Sequence, residues 1–96
     1  MATTDALWAA WDGRGLEHLE LGTEPTGVRA DSLIIAVDDH GRPFRARYVV
    51  GCDAGWKVTH ARVEVLEQPA RVLDLRVDGR GHWSDAAAGA VPALDG

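Results

Sequence analysis

Apolar and polar residues alternate with a period of two along most of the chain. In 28–37, Arg29, Asp31, Leu33, Ile35 and Val37 share one side, and Val28, Ala30, Ser32, Ile34 and Ala36 the other. In 44–52, Phe44, Ala46, Tyr48, Val50 and Cys52 oppose Arg45, Arg47 and Val49. In 56–67, Ala61, Val63 and Val65 oppose His60, Arg62 and Glu64, and in 72–78, Leu73, Leu75 and Val77 oppose Val72, Asp74 and Arg76. Successive side chains of a strand point to opposite faces, so each run predicts a half-buried β-strand. The shorter run 16–21 also reads as a strand, and His82-Trp83-Ser84 starts a further one. No stretch carries a helical stripe longer than one turn at Ala6 to Trp11.

Glycine, proline and aspartate punctuate these runs. The breaks are Gly13-Arg14-Gly15, Gly22 to Gly27, Asp38 to Pro43, Asp53-Ala54-Gly55, Gln68-Pro69 and Asp78-Gly79-Arg80-Gly81. Glycines in the turns at 38–41 and 78–81 supply the positive φ that tight turns need, and 53–56 fits a type I turn closed by a glycine bulge. Connections this short join antiparallel neighbours. The expected fold is therefore all-β, an antiparallel meander of five or six strands over 8–85 forming a curved sheet or half-barrel. Residues 1–7 read as a frayed terminus and 86–96 as a flexible Ala/Gly-rich tail. Such a sheet has an apolar face and nothing to cover it. It must close, pair with a copy of itself as a homodimer, or be completed by another segment.

Composition narrows the partners. The chain has 96 residues, with 15 acids against 10 bases for a net charge of −5. That is one domain with a modest core. An acidic chain lacks the basic footprint that binds phosphate backbones, so no nucleic-acid partner is expected. A single cysteine, Cys52, allows no internal disulfide. The longest apolar run, Leu33 to Val37, is far short of a membrane span, and Met1 to Asp5 has no basic leader. The expected setting is cytoplasmic.

The chemistry-bearing residues are sparse. The histidines at 18, 40, 60 and 82 have no local metal-ligand spacing, and no metal or cofactor is expected. Ser32 and Ser84 lie outside any nucleophile elbow, and Gly13-Arg14-Gly15 precedes a strand instead of a helix, which a phosphate loop requires. Cys52, Asp53 and His60, facing each other across a predicted hairpin, make hydrolase or isomerase chemistry the remote alternative. Arg45, Arg47 and Arg62 cluster on one sheet surface. They read either as a solvated face paired with Asp31, Glu64 and Asp74 or as a clamp for an anionic headgroup, since guanidinium grips oxyanions bidentately. Four of six aromatics are tryptophan. The indole joins an apolar face to one N–H donor, which suits core packing or a ligand wall.

Trp8 and Trp11, Gly15-Leu16-Glu17-His18-Leu19, the strand Arg45 to Val50 running into Gly51-Cys52-Asp53-Ala54-Gly55-Trp56-Lys57, and Leu75 to Trp83 with its Asp78-Gly79-Arg80-Gly81-His82-Trp83 hairpin stand in order along 8–83. In this the chain resembles the bacterial putative glycolipid-binding family, formerly a domain of unknown function. The resemblance implies a cytoplasmic all-β protein with an apolar cavity for a lipid or glycolipid and with no catalytic residues to carry over. Family members continue into a Cys-x-Asp-x-Asp segment and a Thr-Pro-Phe-Thr-Asn motif, whereas this sequence ends at Leu94-Asp95-Gly96. The resemblance thus covers the N-terminal half and implies a truncated member. The reading is a non-catalytic binding module. Trp11, Tyr48, Trp56 and Trp83 are its wall, and Arg45, Arg47 and Arg62 meet the headgroup. A structural half-domain that dimerises through its exposed face is the alternative.

Overall fold

The computed structural model describes residues 2–66 and 71–95. The break expected at Gln68-Pro69 lies outside the described residues. The strands are β1 (Ala2–Ala9), β2 (Gly15–Glu24), β3 (Gly27–Val37), β4 (Pro43–Asp53), β5 (Val58–Val65), β6 (Arg71–Val77), β7 (Trp83–Asp85) and β8 (Gly89–Ala90), followed by a 3₁₀ turn at Pro92–Leu94. They form one antiparallel sheet in sequence order, β1 through β8. The all-β meander is as expected. The count is eight instead of five or six, and the sheet stays open and uncurled instead of wrapping as a half-barrel.

The added strands lie where the alternation is weakest. Residues 2–7, read from the sequence as frayed, belong to β1, which pairs with β2 from Ala2↔Thr23 to Ala9↔Leu16. The expected tail is tied back through residue 95. Val91 N–H donates to the Trp83 carbonyl at 2.9 Å, and Trp83 N–H donates to the Asp95 carboxylate at 2.8 Å. These partners come from register and long-range contact, which a local pattern does not carry.

Three hairpin turns repeat one design. Asp38, Asp53 and Asp78 each end a run and accept two backbone N–H bonds on Oδ1: His40 and Arg42 at 2.8 and 3.0 Å, Gly55 and Lys57 at 2.9 and 3.0 Å, Arg80 and His82 at 2.8 and 3.0 Å. Three residues past each aspartate the chain enters the left-handed region, at Gly41 (φ 76°), Trp56 (φ 65°) and Gly81 (φ 80°). Gly41 and Gly81 do what the sequence predicts. The middle turn differs, because the left-handed residue is Trp56 and not Gly55. A side chain in that region crowds the following carbonyl, at a cost of about 1–2 kcal/mol.

The register assigns the two faces. Pairing Leu19↔Ser32, Ser32↔Tyr48, Tyr48↔Val63 and Val63↔Leu73 places these residues on one face. Alternation adds Trp8, Glu17, Leu21, Val28, Ile34, Phe44, Ala46, Val50, Leu75, Val77 and Trp83. We call this the Tyr48 face. The opposite, Arg47 face carries Arg29, Asp31, Arg45, Arg47, His60, Arg62, Glu64, Asp74 and Arg76, with an exposed apolar corner at Leu7, Leu16, Leu33, Ile35 and Val37. Among the described residues only Val28, Ala46 and Ser32 have buried side chains, and Ser32 alone is fully buried. Among the described residues no second layer covers either face, and the Tyr48 face is accessible.

Candidate functional site

Three polar side chains converge in the midst of the Tyr48 face. Glu17 comes from β2, Ser32 from β3 and Tyr48 from β4. Ser32 sits between the other two strands and is 1% exposed, with its cross-strand neighbours Leu19 and Tyr48 on either side. Its small side chain lets the tyrosine reach past it to the glutamate. Ser32 Oγ and Tyr48 Oη both donate to Glu17 Oε2, each at 2.5 Å. Hydroxyl donors to an ionised carboxylate make charge-assisted bonds.

The electrostatics follow from this placement. Burial pushes the Glu17 carboxyl upward, but donation from Ser32, Tyr48 and the Trp8 indole outweighs it and holds the group below its ordinary value. Tyr48 is shifted the other way. Burial raises its phenol, and donation to the glutamate raises it further. At neutral pH the cluster is therefore a carboxylate ringed by neutral donors within an apolar surface. Ser32 is buried, so an incoming group can reach the Glu17 carboxylate and the Tyr48 hydroxyl oxygen, which keeps acceptor capacity while its proton goes to Glu17. Trp8 pairs with Glu17 across β1 and β2 and is 46% exposed, so an indole edge lies beside the carboxylate.

The residues expected to form one site are spread over the sheet. Tyr48 and Trp83 lie on the Tyr48 face, Tyr48 on β4 and Trp83 on β7 opposite Val77. Arg45, Arg47 and Arg62 lie on the other face. Trp11 sits in the β1–β2 turn, 99% exposed, and Trp56 in the β4–β5 turn at the opposite end of the sheet, 60% exposed. The sheet thus brings together Tyr48 with Glu17, Ser32 and Trp8, and it parts the arginines from the aromatics. Glu17 and Trp8 were visible only as pieces of sequence segments. Their meeting with Tyr48 depends on register across three strands.

Two other clusters bear on chemistry. Cys52 lies on the Tyr48 face, whereas His60 pairs with Gly51 and lies on the other, so the Cys52/His60 pair considered from the sequence does not form. A register shift at Gly51/Cys52 separates them further, and His60 Nε2 contacts Asp74 at 2.9 Å. Asp5 on the edge strand β1 and His18 and Glu20 on β2 place their ligand atoms within 4.8 Å of one another, all exposed, with His18 Nε2 and Asp5 Oδ1 at 3.1 Å. Among the described residues no helix is long and apolar enough to cross a membrane.

Comparison with known proteins adds lineage to this geometry. No curated protein matches the chain. A crystal structure of a DUF1089 family protein from Pseudomonas aeruginosa is similar at 34% identity and a TM-score of 0.71. The match covers 100% of this chain and 50% of that one, so the chain spans about half the length of that structure. The family described as putative glycolipid-binding matches residues 5–96, essentially the whole sequence. The chain belongs to the putative glycolipid-binding family.

Proposed function

We propose that this chain binds an amphiphile bearing a sugar on its Tyr48 face, without catalysis. The observation that carries the reading is the Glu17 carboxylate, held ionised by Ser32, Tyr48 and Trp8 in the midst of a largely apolar face. An acyl chain laid on such a surface contributes about 0.8 kcal/mol per buried CH₂. An apolar ligand alone would leave the carboxylate facing hydrocarbon, at a desolvation cost it does not recover. A ligand with hydroxyls offers donors to the carboxylate and to the Tyr48 hydroxyl oxygen. The family's description supports the same class of ligand.

The test is a titration of intrinsic tryptophan fluorescence, with Trp8 as the near reporter. The probe is a short-chain alkyl glucoside below its micelle concentration, and the alkyl alcohol of equal length is the control. The glucoside should bind more tightly than the alcohol. Glu17→Gln and Tyr48→Phe should each erase that difference while leaving the alcohol's affinity unchanged. Equal binding of both probes to the unaltered chain would remove the sugar-reading role.

A second occupant of this face is another copy of the chain. Trp8, Val63 and Leu73 stand exposed on it, and uncovered apolar side chains favour association. Face-to-face pairing would bring two Glu17 carboxylates out of water together, which costs more than a sugar does.

A further inference from the structure

The Arg47 face holds a concavity of its own, of about 350 Å³. Arg29 from β3, Arg47 from β4 and Arg62 from β5 surround Val49, with His60 and Glu64 completing the wall. The row Arg29↔Gly51↔His60 explains the hollow. A Cβ at Gly51 would meet only His60 Cβ and Thr59 Oγ1, both at 3.8 Å. A larger residue would fit, so the glycine leaves the floor open without being required by packing.

The arginines are unequally engaged. Arg47 holds Asp31 through two hydrogen bonds, Nε–Oδ1 at 3.0 Å and Nη2–Oδ2 at 2.6 Å. Arg29 stands 3.9 Å from the same Oδ2, and Arg62 stands 4.0 Å from Glu64. Among the described residues neither guanidinium donates a side-chain hydrogen bond. Asp74, opposite Arg62 in the register, is taken by His60. Of the nearby carboxylates, Asp31 is bonded by Arg47, Glu20 lies opposite Asp31 one strand further on, and Glu64 alone lines the hollow, so Arg29 and Arg62 keep their forks of donors free of hydrogen bonds. Two forks of donors point at one hollow with nothing bonded to them.

We propose that this hollow binds a phosphate-type oxyanion, gripped by Arg29 and Arg62 and steadied by Arg47. The tetrahedral oxygens of phosphate match the guanidinium fork, and phosphate is dianionic near neutral pH. The site is separate from the sugar-reading cluster, because the sheet lies between them. It cannot be the headgroup pocket of a lipid bound on the Tyr48 face. Its residues also differ from the trio marked in the sequence, since Arg29 joins and Arg45 is not part of the wall.

Amide and arginine Nε–H resonances followed by NMR during titration with inorganic phosphate test this, with sodium chloride at matched ionic strength as control. Saturable shifts are expected at Val49, Gly51 and Arg62. Arg29→Gln and Arg62→Gln should each weaken binding roughly tenfold, the scale of one charge-assisted hydrogen bond. Both side chains are exposed, so the fold is not at stake, and Arg45→Gln should leave affinity unchanged. A second arm measures cosedimentation with phosphatidylcholine vesicles with and without phosphatidylglycerol. Binding of inorganic phosphate identifies a soluble ligand. Binding only to vesicles with phosphatidylglycerol, lost in Arg29→Gln and Arg62→Gln, identifies a lipid phosphate. Shifts that follow ionic strength alone, or that persist in both variants, with no vesicle binding that depends on these arginines, would overturn the proposal.

Discussion

At the residue scale, Glu17 ties stability to pH. Its carboxyl is depressed in the folded chain from an ordinary value of 4.5, and Asp31 from 3.8, the latter chiefly by donation from Arg47. A depressed carboxyl stabilises the fold above its unfolded value, and that contribution is lost as pH falls through the folded value. The denaturation midpoint should hold level from neutral pH to about 5 and then fall as the solution is acidified below it. Glu17→Gln exchanges charge-assisted bonds for neutral ones, a loss of about 1–2 kcal/mol at pH 7 that should shrink toward acid. Urea titrations across that range check it, and a constant deficit at every pH would mean that Glu17 stabilises by packing alone. Gly27 marks a different constraint. A Cβ there would stand 2.4 Å from the Cys52 carbonyl oxygen, in the backbone of the neighbouring strand. Gly27→Ala should therefore lower stability by about 1–3 kcal/mol, the ordinary cost of overpacking. Neither constraint can be read locally. Glu17 looks like one more polar position on an alternating strand, and Tyr48 is 31 residues away. Tyr48 itself was legible, as the aromatic of the strand that runs into Cys52-Asp53.

At the element scale, alternation was a good guide wherever one face is apolar and the run is long. β4, β5 and β6 show it, and the register keeps most of their apolar residues on the Tyr48 face, whereas β3 alternates too but places apolar residues on both faces. β1 escapes because Ala2-Thr3-Thr4-Asp5 has little contrast between its faces and all four residues are exposed. β8 escapes because two residues carry no period. The turns were legible through aspartate and glycine, apart from the place of the left-handed residue in the β4–β5 hairpin. That exception yields a test of the turn design. Trp56→Gly relieves the left-handed strain but frees the unfolded chain, so the net gain should be about 0.5 to 1 kcal/mol. A thermal melt reads it directly. A loss of stability would instead show that the indole, although 60% exposed, holds the hairpin through its contacts. If stability rises while glucoside affinity falls, Trp56 also serves the ligand, as the sequence suggested.

At the scale of the whole molecule, the sheet is a single layer. Its radius of gyration is 15.1 Å, where a compact chain of this length has about 12.5 Å. Stable domains pack two layers around a core, and here only three side chains are buried among the described residues. A ligand bound on the Tyr48 face, as proposed, would cover that layer and so couple binding to folding. A ligand that binds only the folded chain, present at one hundred times its Kd, adds about 2.7 kcal/mol. For a domain of this size that moves Tm upward by roughly 10–20 °C. The alkyl glucoside should produce such a rise at fixed protein concentration, and Glu17→Gln should reduce it. A Tm that climbs with protein concentration and ignores the glucoside would instead identify a second copy as the covering layer. The two occupants compete for one surface, so a glucoside that binds should also dissolve any such dimer.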